Sequence, residues 1–171
     1  MNVSPVSKPM HVDGVELIVR PISVADIDRL ANLFTRLSAE SVRARFFAPI
    51  HRPPRTMLIR LATVDHERRD ALVALAGDRI VAVARYDAPV GATEAEIALT
   101  VADDWQHRGV GRRLARRLAV LAAGRGYERF TATMLPDNRA ALNLVRKLSP
   151  DATVRFAGNG YEATMPLPRA S

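Results

Sequence analysis

The chain has 171 residues, about one domain, and 48% of them are hydrophobic, which excludes a disordered or fibrous polymer. It has no cysteine, so disulfides, thiolate metal sites, CxxC redox motifs and a cysteine nucleophile are excluded together. A net charge of +7 points toward an anionic partner, but the arginines are scattered among acidic residues and aromatics make up only 5%, unlike a nucleic-acid surface with its basic stripe and stacking rings.

Residues 1–13 have no apolar signal-peptide core and are expected to form a flexible tail, leaving 14–171 as a single domain. No apolar run approaches the roughly 18 residues of a membrane span, so no membrane partner is expected and the compartment is read as cytoplasmic. "VELIVRPI", Val15–Ile22, alternates as a strand. Ser23 with Asp26 three residues on opens a helix whose apolar stripe is Ile27, Leu30, Leu33, Phe34 and Leu37. Short helices are expected over Ala39–Phe46 and Arg55–Ala62. "DALVALAGDRIVAVARYDA" reads as two strands turning at Gly77-Asp78. "EAEIALTVADD" is a strand; a glycine loop follows, then a helix to about Gly124. "RFTATML" is a strand, "NRAALNLVRKL" a helix, and a terminal hairpin turns at Gly158-Asn159-Gly160. Strands alternating with helices, with hairpins at both ends, predict a mixed sheet with helices on its faces.

The glycine loop, "QHRGVGRRL", sets Gly109 and Gly111 among Arg108, Arg112 and Arg113 where a helix begins. Arginine is misplaced there, because a helix N-terminus already carries about half a positive charge. A bound polyanion makes the arrangement favourable: free N–H groups face the loop, and glycine lets a ligand approach the backbone. A Walker loop is excluded for want of G-x-x-x-x-G-K-[ST], and Leu114 stands where a dinucleotide fingerprint needs its third small residue. An ordinary glycine turn with solvated arginines is the plain alternative. Glu96 shares a strand face with Ala98 and Thr100, and a carboxylate in an apolar strand is costly unless it meets a cleft or an arginine partner. Arg45, Phe46 and Phe47 either line a substrate entrance or pack as core and hinge. The four histidines lack metal-ligand spacing, so no metal is expected.

Gln106-His107-Arg108-Gly109-Val110-Gly111 resembles the Q/R-x-x-G-x-G/A loop of the GCN5-related N-acetyltransferases (GNAT). "AEIALTVADDWQHRGVGRRL" is similar to the strand, loop and helix of that family's core, and "LPDNRAALNLVRKL" to its N-x-x-A helix, so the resemblance runs from about Val15 to Leu167. It implies the GNAT fold, an α/β (mixed α+β) architecture with a central, mostly antiparallel sheet flanked by helices, and acetyl-CoA as co-substrate. The amides of His107, Arg108, Gly109, Val110 and Gly111, with Arg112, are then expected to bind the pyrophosphate, and Gln106 to order the loop. The backbone of Leu99, Thr100 and Val101 would pair with the pantetheine arm. Asn138 would touch the coenzyme while also reading as a helix N-cap.

Glu96 resembles the catalytic glutamate of the family's protein-lysine acetyltransferases. One departure stands out: Val145 occupies the position where many members carry a tyrosine that protonates the departing thiolate. A thiol of pKa about 8.5 leaves without much help, and Tyr161 is a remote substitute. "LSAESVRARFFAP", with "LIRLATVDHERRDALVAL" after it, resembles the acetyltransferase domain of bacterial Pat-type protein lysine acetyltransferases. The implied activity is acetyl transfer by direct attack in a ternary complex, to a protein lysine first. A small-molecule amine acetyltransferase and a non-catalytic acyl-CoA sensor are the rivals; nucleic acid is not an expected partner, and a homodimer is compatible with the sequence.

Overall fold

A computed structural model describes residues 8–168. An eight-stranded sheet runs in the order β1 (Met10–Val12), β2 (Val15–Pro21), β3 (Arg69–Ala76), β4 (Arg79–Asp87), β5 (Glu94–Val101), β6 (Arg129–Met134), β8 (Gly160–Pro166) and β7 (Thr153–Ala157). Every neighbouring pair is antiparallel except β5 with β6. The helices are α1 (Ile27–Phe34), α2 (Ala39–Phe46), α3 (Arg55–Ala62), α4 (Val110–Gly124) and α5 (Arg139–Leu148).

β3 and β4 are the centre of the core, buried along nearly their whole length, which is why both read as continuous apolar runs. Register divides the faces. Val83 and Arg85 of β4 lie opposite Thr100 and Ala98 of β5, on the side covered by α1, α2 and α3. Leu99 and Val101 point the other way, onto α4. That helix buries Leu114, Leu118 and Ala122, and its far end is tied down where Arg125 reaches Tyr86 Oη and the buried Asp70. At the entry to α1 the Asp26 carboxylate is fully buried; it accepts two bonds from Arg20, at 2.6 and 2.7 Å, and one from the Ser23 N–H at 3.0 Å.

The expected tail is corrected in one place. Met10–Val12 form a strand on β2, with Met10 and Val12 only 3% and 4% exposed. Asp13 (φ 49°) and Gly14 (φ 79°) make the two-residue turn between them, the left-handed pair that suits a tight hairpin. Arg113 and Arg117 of α4 hold this edge by donating to backbone carbonyls of His11, Lys8 and Pro9. The rest of the expected tail, residues 1–7, lies outside the described residues.

Candidate active site

The sheet splits at β5 and β6. These strands pair at three positions, Glu94 with Arg129, Ala95 with Phe130 and Glu96 with Thr131. Beyond Glu96, β5 pairs only with β4, and beyond Thr131, β6 pairs only with β8, so Ile97–Val101 present an unpaired backbone edge. α4 begins after β5 and α5 after β6, which brings two helix N-termini to the opening. Between them lies a cleft of about 980 Å³.

The residues expected to catalyse or to bind the coenzyme all line this cleft: Glu96, Leu99, Thr100, Val101, Gln106, His107, Arg108, Gly109, Val110, Gly111, Arg112 and Asn138. The loop is fixed from both ends. Trp105, 9% exposed, anchors it below. Gln106 Nε2 donates to Val101 O at 3.1 Å, to Ser41 Oγ at 3.1 Å and to Asp103 Oδ1 at 3.2 Å. His107 (φ 60°) and Gly109 (φ 77°) are both left-handed, whereas Arg108 between them is not. Such alternation turns successive N–H groups into one concavity, an anion-binding nest.

The two glycines have different reasons. A Cβ on Gly109 would meet open space, so backbone conformation alone selects glycine there. On Gly111 it would lie 2.8 Å from Leu99 Cδ2 and 3.3 Å from Val101 Cγ2, so this glycine also lets α4 pack closely on β5, a reason beside the ligand approach expected of both glycines. The arginines divide as well, because successive helix residues point about 100° apart. Arg112 and Arg108 line the cleft, and Arg108 also lies 5.2 Å over the Trp105 ring and 3.4 Å from Asp13. Arg113 turns away to β1.

Glu96 is exposed at the vertex of the split, and among the described residues its carboxylate has no hydrogen bond or ion pair. The arginine-partner alternative fits Glu94 instead, which Arg129 holds at 2.7 Å. Asn138 caps α5, its Oδ1 accepting from Ala141 N at 3.0 Å. Val145 is buried in the cleft wall and offers no proton. Tyr161 stacks edge-on against Phe156 at 5.3 Å, outside the cleft lining.

Sequence reasoning missed several contributors. Ser41 of α2 receives the Gln106 amide, and Arg43 of α2 pairs with Asp137 just before α5. The stretch Arg45-Phe46-Phe47 has three separate fates. Phe46 stacks on Phe34 at 5.2 Å; Phe47, left-handed at φ 58° and 49% exposed, faces the cleft. Arg45 lies over the Phe46 ring at 4.7 Å and also lines the cleft. Burial and then the charge of Arg85 push its guanidinium down to about 10, against the opposing pull of the Glu96 carboxylate.

The profile of the acetyltransferase (GNAT) family matches residues 35–149. Acetyltransferase Pat of Mycolicibacterium smegmatis is 35% identical over 138 residues, 79% of this chain and 41% of that protein, so the chain spans about two fifths of this relative. An acetyltransferase of Pseudomonas aeruginosa is 30% identical over 149 residues, 81% of this chain and 80% of that one. The crystal structure of the GNAT domain of S. lividans PAT superposes with a TM-score of 0.88 at 32% identity, covering 94% of this chain and 96% of that domain. Among the described residues no group of three or more His, Asp or Glu is placed to hold a metal ion, and no helix is long and apolar enough to cross a membrane.

Proposed function

The chain belongs to the GNAT acetyltransferase family, and on that premise we propose that it moves an acetyl group from acetyl-CoA to an amine, with a protein lysine as the leading acceptor. The observation that carries this reading is Glu96: a carboxylate with no hydrogen bond or ion pair among the described residues, held where β5 and β6 part and facing the cleft. A lysine-type amine of pKa about 10.4 is neutral in only about one molecule in a few thousand at pH 7, so a base at the reacting centre is needed. Glu96 takes the proton as the nitrogen attacks the thioester carbonyl; the N–C bond forms, the C–S bond breaks, and the thiolate leaves without a protein acid, since Val145 supplies none.

The co-substrate fits the residues present. The nest of amides at His107–Gly109 and Arg112 receive the pyrophosphate, and the unpaired edge at Leu99–Val101 receives the pantetheine amides as an added strand. Asn138 meets the coenzyme from α5. The lysine preference rests on the resemblance of the strand around Glu96 and of Leu37–Pro49 to protein lysine acetyltransferases; a small-molecule amine is the other acceptor class.

Two measurements test the proposal. Native lysate incubated with labelled acetyl-CoA, with and without the protein, should show acetylated lysines only in its presence; label confined to small molecules would select the other acceptor class. Glu96→Gln should keep acetyl-CoA affinity and lose about 10²–10⁴-fold in turnover, the residual rate climbing as pH approaches the pKa of the free amine. A folded, coenzyme-binding mutant with undiminished turnover would remove Glu96 from the mechanism.

A further inference from the structure

On the face of the sheet that carries Glu96, two guanidinium groups sit together with no ion pair among the described residues, Glu96 attracting Arg45 and Asp87 attracting Arg85 only from beyond contact. Arg85 of β4 lies opposite Ala98, one strand position along the face from the pair Asp87–Glu96. Among the described residues the only hydrogen bond of its guanidinium, at 3.1 Å, goes to Leu61 O. Arg45 comes from α2 to the same place and rests on the Phe46 ring. Among the described residues neither arginine forms an ion pair, and the Arg45 guanidinium has no hydrogen bond. Both are half-buried, burial works against the charge of each, and Arg85 adds to the cost of the Arg45 charge. A cation partly kept out of water in this way gains from a counter-charge that joins it. Glu96 attracts Arg45 but makes an ion pair with neither arginine, so a counter-charge in contact is still wanting.

The two arginines differ in reach. Arg45 lines both the main cleft and a small recess beneath Ala98 and Thr100, whereas Arg85 lines the recess alone. The recess measures about 20 Å³, room for about one water and too little for a carboxylate. An anion therefore meets Arg45 from the cleft side, with Arg85 behind it as a positioning charge. The planar fork of arginine matches a carboxylate with two parallel bonds.

We propose that Arg45, backed by Arg85, receives a carboxylate that the reactants bring into the cleft beside Glu96. This rests on the transferase reading above and adds a substrate class to it. The carboxylate has two chemical sources: an acidic side chain adjoining the acceptor amine, or the acid end of a dicarboxylic acyl group carried by the coenzyme. Either source places a negative charge on the Arg45 side of Glu96, where an acetyl group with a neutral acceptor leaves the guanidinium without a partner.

The test compares matched pairs in wild type, Arg45→Gln and Arg45→Lys, with folding checked by circular dichroism. One arm varies the donor, acetyl-CoA against succinyl-CoA, with one neutral amine. The other varies the acceptor, using lysine peptides that differ only by Asp or Asn beside the lysine, with acetyl-CoA. In one arm wild type should favour the carboxylate-bearing member by roughly ten- to a hundred-fold in kcat/KM, the span of a charge-assisted contact. That arm identifies the source. Arg45→Gln should bring the ratio close to one, and Arg45→Lys should retain part of it. Ratios near one in both arms for wild type, or a preference that survives Arg45→Gln, would overturn the assignment. The same pairs are compared by calorimetry: the two thioesters on the free protein and the two peptides on the CoA-saturated protein. Absence of turnover on every amine would sink the transferase reading, while the affinity ratios would still decide the role of Arg45.

Discussion

Gly109 and Gly111 look alike in the sequence and separate on substitution. At Gly111 a valine must push Leu99 or lift α4 from β5, so Gly111→Val should cost about 1–3 kcal/mol of stability, read as a lowered melting temperature without ligand. At Gly109 there is room but the backbone is left-handed, so Gly109→Ala should cost about 1 kcal/mol and act mainly on acetyl-CoA affinity by opening the nest. Unchanged acetyl-CoA affinity in a folded Gly109→Ala variant would mean that the nest has no separate role. The arginines follow the same logic. Arg112→Ala should weaken coenzyme A by about 1.5–3 kcal/mol and a phosphate-free pantetheine much less, whereas Arg113→Ala, on the β1 side, should leave coenzyme affinity near wild type. Calorimetry on both ligands checks the pair. The motif was legible because glycine and arginine at a helix start are locally anomalous. Spacing alone did not separate Arg112 from Arg113; the family resemblance named Arg112, and the rotation of α4 against β5 turns that residue to the cleft and Arg113 to β1.

At the scale of elements, periodicity was informative wherever burial is one-sided or continuous, and the helices and strands from β2 to β8 were legible for that reason. β1 escaped although its signal was present: Met10 and Val12 alternate around His11, and Asp13-Gly14 is a strong hairpin pair. Three residues are too few for an alternation to outweigh a polar N-terminal composition. The start of α1 was legible as Ser23 with Asp26, but its strongest partner was not, because Arg20 lies on the preceding strand. That contact sets a prediction. The hydrogen bonds from Arg20 hold the Asp26 carboxyl below its ordinary range, with burial opposing and the Ser23 N–H assisting. A depressed folded pKa adds stability that is complete above the unfolded value of about 3.9 and is lost as pH falls through the folded value. Arg20→Leu leaves a fully buried carboxylate with only the Ser23 contacts and the more distant Arg29, and should cost about 3 kcal/mol at pH 7. The gap in melting temperature between wild type and mutant should narrow as pH falls below about 4; a gap that is constant down to pH 2 would show that Arg20 acts by packing.

The molecule as a whole is a sheet joined at its middle by only three residue pairs, and this joint is where the chemistry is proposed to occur. No local sequence signal could have shown the split, because both β5 and β6 have ordinary strand composition and each is paired on its outer side. The Arg43–Asp137 contact links α2 to the turn before α5, but both side chains are substantially exposed, so it contributes little to holding the halves. A ligand laid along Ile97–Val101 would instead supply hydrogen bonds that the sheet lacks on that edge. Acetyl-CoA at a hundred times its dissociation constant should therefore raise the unfolding free energy by about 2.7 kcal/mol. Hydrogen exchange should show where that stabilisation enters. Protection should appear at the amides of Ile97–Val101 that do not bond to β4, at His107–Gly111 and at the first turn of α5. Amides of β3 and β4, already paired and buried, should change only through the global shift. The converse pattern, protection spread over β1 to β4 with the open edge unchanged, would place the coenzyme elsewhere and overturn the assignment of the cleft.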